Sequence, residues 1–166
     1  MGKLSDLLVK EADTFRAEKA KRKQVVDEWL GMLGDLFANI DNWLQASDPE
    51  GLLDVTKAVS QLNDPALGEY TAPIRRIVLG KREVEIVPRA RYVISAVKPR
   101  GAEKPERAHG LVEIRSRDWA THSLYQLPNQ GWFIRSTADN MNQSGDNLVE
   151  PLDAEHFEDA LASVLR

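Results

Sequence analysis

Apolar residues near the start of the chain recur at alternating spacings of four and three. Leu8, Ala12, Phe15, Val26, Trp29, Leu33, Leu36, Ile40 and Trp43 form one heptad-like series, broken only by Lys19 and Arg22. Such a series predicts a long helix reaching about Ala46. Leu7, Leu30, Phe37 and Leu44 widen its second half into a face broad enough to lie on a domain. Residues 16–23 hold no apolar side chain larger than Ala and suit solvent. Gly31 and Gly34 each cost about 1 kcal/mol relative to Ala inside a helix, which a kink or a close helix crossing would explain. Ser47, Asp48, Pro49 and Glu50 then carry capping-box spacing with proline in the first turn. A second helix is expected over residues 49–62, folding Leu52, Val55, Val59 and Leu62 back on the first as an antiparallel neighbour. Asn63, Asp64 and Pro65 end it.

From Tyr70 the period changes to two. Residues 74–79, 84–87, 91–97, 111–114, 123–127 and 132–135 are short runs rich in Val, Ile and aromatics. They predict an antiparallel meander of five or six strands. Gly80-Lys81-Arg82 and Pro128-Asn129-Gln130-Gly131 supply hairpin turns, and Pro88 is expected to end a strand because it donates nothing to a ladder. Residues 98–110 contain two prolines, two glycines and no large apolar side chain, the composition of a long mobile hairpin loop. Residues 148–150 suit a last strand. Asp153 caps a C-terminal helix with a stripe of Phe157, Ala160, Leu161, Val164 and Leu165. The expected fold class is α+β: a long N-terminal helix, a second helix antiparallel to it, a five- to six-stranded antiparallel meander, and a C-terminal helix packed on the sheet. Residues 1–64 form the helical arm and hairpin, and residues 65–166 the sheet domain with its helix, together one compact unit.

Composition narrows the chemistry. The 166 residues are 42% hydrophobic and 29% charged, as in globular proteins that bury a core. With no cysteine, thiolate catalysis, disulfides and zinc-thiolate sites are excluded. Acids and bases interrupt the leucines of the first residues, so no signal peptide is expected. No apolar run approaches the roughly 18 residues of a membrane helix, and a cytoplasmic location without membrane contact is expected. Met1-Gly2 with Ser5 falls one place short of myristoylation spacing.

Charge is unevenly divided. Residues 1–69 hold 8 Lys and Arg against 13 Asp and Glu, for −5; residues 70–117 hold 12 against 5, for +7; residues 118–166 hold 2 against 8, for −6. The basic third either meets a polyanion or packs beside acidic elements, its own or a partner's.

Few residues spell out catalysis. His109, His122 and His156 fall in a loop, a strand and a helix with no ligand spacing between them, so no metal site is expected. His122 beside Ser123, with Asp118 and His109 nearby, invites a hydrolase reading, but no GxSxG elbow accompanies it. Residues 140–145 place oxygen donors and a glycine as a calcium loop does, yet the first position lacks Asp and the twelfth is Pro151. Glu83 and Glu85 share a strand face without a nuclease lysine, and no glycine-rich phosphate loop occurs. No cofactor is expected. These features point to a non-catalytic accessory or adaptor subunit. Leu4, Leu7, Leu8 and Phe15 offer an apolar strip to another protein or a second copy, while Arg100, Lys104 and Arg107 set orientation and association rate. The alternative is a nucleic-acid-binding module using residues 70–117, with RNA or DNA as partner. Tyr92 is its only aromatic after Tyr70, a thin supply for base stacking.

Overall fold

The computed structural model describes residues 2–137 and 147–166; the calcium-loop-like segment at 140–145 lies outside them. Helix α1 spans Lys3–Ser47 and helix α2 spans Ala154–Leu165. Between them run β1 (Asp54–Asp64), β2 (Gly68–Leu79), β3 (Arg82–Ala90), β4 (Ala96–Pro99), β5 (Glu106–Arg107), β6 (Gly110–Ser116), β7 (Trp119–Leu127), β8 (Gly131–Ser136) and β9 (Leu148–Pro151). The α+β class holds, with one sheet larger than expected and mixed rather than purely antiparallel. Among the described residues nine strands follow the order β1-β2-β3-β6-β7-β8-β9-β4-β5, and β4 runs parallel to β9.

Residues 49–62 do not form a second helix. Asp48 accepts from the Leu52 and Leu53 amides, both at 2.8 Å, and Gly51 takes φ +67°. The residues expected to start a helix thus make the turn that ends α1. Strand β1 then pairs with β2 in unbroken register from Asp54↔Val78 to Asp64↔Gly68. Leu52 and Val59, expected on a buried helix face, are 69% and 70% exposed. Spacings of three and four fitted a helix, but β-branched Val55, Thr56 and Val59 fit a strand as well, and the long ladder with β2 decides between them. Asp64 builds the hairpin turn by accepting from the Ala66 and Leu67 amides at 2.7 and 3.2 Å. Its other oxygen holds the Arg91 amide at 2.9 Å.

The sheet cannot be flat. Arg107 ends β5 and Gly110 begins β6, a reach of at most about 11 Å. Five strand spacings separate β5 from β6 in the order, about 24 Å in a plane. The sheet therefore curls, and its two faces bury different cores. Trp29, Leu33, Leu36, Phe37, Ile40 and Leu44 of α1 and Phe157 and Leu161 of α2 pack on Ile77, Ile86, Ile114, Leu124 and Ile134. The opposite face encloses Val97, Ala108, Leu127, Phe133 and Val149.

Two local expectations also change. Only Ala96 and Val97 of residues 91–97 are in a strand; Arg91 instead sits with its guanidinium 5.8 Å from the Trp29 ring and 4.7 Å from that of Tyr92. Strand β3 runs past Pro88 through a register shift rather than ending there, as a bulge lets proline forgo its ladder bond. Gly110 lies tight under α1, since a Cβ there would lie 2.6 and 2.8 Å from Trp29 ring carbons.

Candidate functional site

Helix α1 has two halves of different character. From Trp29 onward its apolar stripe is buried, whereas residues 2–24 are exposed, Ala12 alone being half-buried. Leu4, Leu7, Leu8 and Phe15 are 67%, 52%, 58% and 67% exposed. At about 100° per residue, Leu4, Leu8 and Phe15 lie within about 60° of Trp29. The strip is thus the core-facing stripe continued past the edge of the domain. The exposed half has no tertiary packing to stabilise it and propagates from the packed half. Local support is slight: Gly2 at the N-cap offers no side-chain bond, and Asp13–Arg16 at 2.7 Å is an exposed pair worth a few tenths of a kcal/mol.

The basic residues are largely engaged within the chain. Arg75 holds Asp41 of α1 at 2.9 Å and lies 4.8 Å over the Phe37 ring. Arg76, its neighbour on the other strand face, pairs with Glu83 at 2.7 Å and Glu85 at 3.2 Å. Arg89 and Arg115 share Glu113, each at 2.9 Å, and Arg100 pairs with Glu150. Burial acts to raise the Asp41 pKa, yet hydrogen bonding and charge from Arg75, with Lys57, hold it below the usual carboxylate range. The Leu53 and Leu52 amides lower Asp48. Burial raises the Tyr70 phenol, which accepts from Trp29 Nε1 at 3.0 Å.

The segment at 98–110 is a structured hairpin rather than a long loop. Ala96↔Arg107 and Val97↔Glu106 pair across it, Ala102 N donates to Pro99 O at 2.9 Å, and Gly101 turns at φ +88°. Arg107 Nε donates to the Val93 carbonyl at 3.0 Å, and Glu106 accepts from Gln130 at 2.7 Å. Arg100, Lys104 and Arg107 are all exposed, but Arg100 and Arg107 already have partners in the chain. Charged and polar side chains thus fasten a segment whose composition predicts a mobile loop. Arg100 and Lys104 lie in the connection between β4 and β5 and Arg107 on β5, while Leu4 to Phe15 lie on the projecting arm, so the two groups sit on separate elements.

His122 and Ser123 project from opposite faces of β7, because neighbouring strand residues alternate. His122 is half-buried while Ser123 is buried, so the two cannot act on one bond. His122 lines a cleft of about 460 Å³ with Trp119, Thr121, Thr137 and Ser163. Trp119, 71% exposed, escaped the sequence reading; its signal was an aromatic following the turn at Arg117, which takes φ +54°. Among the described residues no group of three His, Asp or Glu converges as a metal site. No described helix is long and apolar enough to cross a membrane. Comparison with protein families, characterised proteins and solved structures finds no match.

Proposed function

We propose that this chain is a non-catalytic adaptor whose curled sheet holds out the first 22 residues of α1, Lys3 to Gln24, as a docking arm. The observation that carries this reading is the exposure of Leu4, Leu7, Leu8 and Phe15 on the continuation of a core-facing stripe. An apolar strip of that kind gains free energy by burial, about 25 cal/mol per Å², and helix-in-helix or helix-in-groove docking supplies it. Exposed Lys104 steers the encounter. The nucleic-acid alternative has less to draw on, because Arg75, Arg76, Arg89, Arg100 and Arg115 are neutralised within the chain.

Deletion of residues 2–18 tests the proposal. The truncated protein is expected to keep the melting temperature of the body and lose its association in sedimentation and co-purification. A truncated chain with the same partners and the same mass distribution as the full chain refutes the docking role. Retention on heparin that falls steeply with salt would favour the nucleic-acid alternative instead.

A further inference from the structure

We infer that the arm's partner is the arm of a second copy, laid antiparallel; this rests on the docking reading above. Three features single out that arrangement. The first is steric. The apolar strip and the body lie on the same side of α1, since Leu4, Leu8 and Phe15 share the face of buried Trp29 and Leu33. Two arms paired in parallel through this strip would drive both bodies into the space between the helices. Paired antiparallel, Leu4 of each arm lies beside the residues where the other body begins.

The second is length. Contact with the body starts at half-buried Val25 and Val26, which pack against the main core. With Ala12 of one arm opposite Phe15 of the other, Leu4 of each arm reaches Val25 of its partner. Residues 3–24, about 33 Å at 1.5 Å per residue, are then covered, and Leu4 of the second copy extends an apolar patch that the core already begins. Phe15 on Ala12 sets large against small twice about the two-fold axis, and Leu8 lies along the aliphatic stem of Lys19.

The third is charge. Lys3 and Lys10 against Asp6, Glu11 and Asp13 give −1 over residues 3–14; Arg16, Lys19, Lys21, Arg22 and Lys23 against Glu18 give +4 over residues 15–24. Antiparallel pairing sets each half on its opposite, whereas parallel pairing stacks +4 on +4. Glu11 and Glu18 meet across the arms as a like-charge pair, with Lys19 beside them.

The absence of native cysteine makes cross-linking unambiguous. Full-length protein is expected to sediment at twice the chain mass, and Phe15→Asp to sediment at one chain mass with an unchanged melting temperature. Leu8→Cys chains mixed with Lys19→Cys chains are expected to form a mixed disulfide under mild oxidation. Leu8→Cys alone is not, because the two Leu8 positions lie about 16 Å apart along the pair. A monomeric full-length chain, a Phe15→Asp dimer, or Leu8→Cys chains that link to themselves each overturn the inference. A monomeric chain would leave the docking role standing, since that role fails only when loss of residues 2–18 changes nothing.

Discussion

Replacing Gly110 by Ala tests the packing of Trp29 against the sheet. The new Cβ would lie 2.6 and 2.8 Å from two Trp29 ring carbons and 3.3 Å from Gln126 Cβ. Trp29 has nowhere to retreat. It is fully buried, its Nε1 is bound to Tyr70 at 3.0 Å, and its ring tilts against Trp132 with centroids 6.0 Å apart. Two effects oppose each other. Gly110 has no positive φ, so Ala fits its backbone and stabilises by about 0.4–1 kcal/mol through the unfolded chain. Overpacking costs about 1–3 kcal/mol, and the rigidity of the ring puts this site toward the upper part of that range. The net expectation is about 1–2 kcal/mol of destabilisation, or a fall in melting temperature of about 2–8 °C for a chain of this length. Urea unfolding with tryptophan fluorescence, supported by calorimetry, measures it. Trp29→Phe removes both contacting ring carbons, so Gly110→Ala introduced into that background is expected to be neutral or stabilising. The coupling between the two substitutions should be about 1 kcal/mol or more. A Gly110→Ala protein as stable as the parent, or strictly additive effects, would refute the packing argument.

Asp41→Asn leaves Arg75, whose side chain is 10% exposed, facing a neutral amide. The expected loss is about 2–3 kcal/mol, below the 3–5 of a fully buried pair because the Asp41 side chain is 23% exposed. The folded pKa of Asp41 lies below its unfolded value, so its stabilisation is complete above about pH 4 and disappears as pH falls through the folded value. Urea titrations between about pH 5 and pH 2 should therefore show a steeper decline in the parent than in Asp41→Asn; parallel declines would contradict the assignment. Asp153→Ala removes the cap that accepts from the His156 amide at 2.8 Å and should cost about 0.5–2 kcal/mol, with Asp153→Asn largely restoring it. No difference between the Ala and Asn variants in thermal unfolding would count against the cap.

Local physics was enough to read both helices, the ends of the chain and most of the strands. The stripe from Leu33 to Trp43, the Asp153 cap and the turn at residues 128–131, where Asn129 takes φ +62° and Gly131 +90°, act over a few residues and leave their mark in the sequence. The exposed strip of Leu4, Leu7, Leu8 and Phe15 was visible for the same reason, because helical periodicity alone places those side chains together. Tertiary structure decided what depends on distant partners. Residues 54–64 satisfy a helical stripe and a strand equally until eleven backbone pairs with β2 settle the choice. Strand alternation already divides Arg75 and Arg76 between two faces, but only the fold supplies their partners, Asp41 for Arg75 and Glu83 and Glu85 for Arg76. The 98–110 segment has no large apolar residue of its own, and its order comes from β9 and from Glu150 and Gln130, residues 24 and more positions away. Curvature of the sheet likewise follows from a two-residue connection between strands far apart in its order, a closure condition that no local pattern contains.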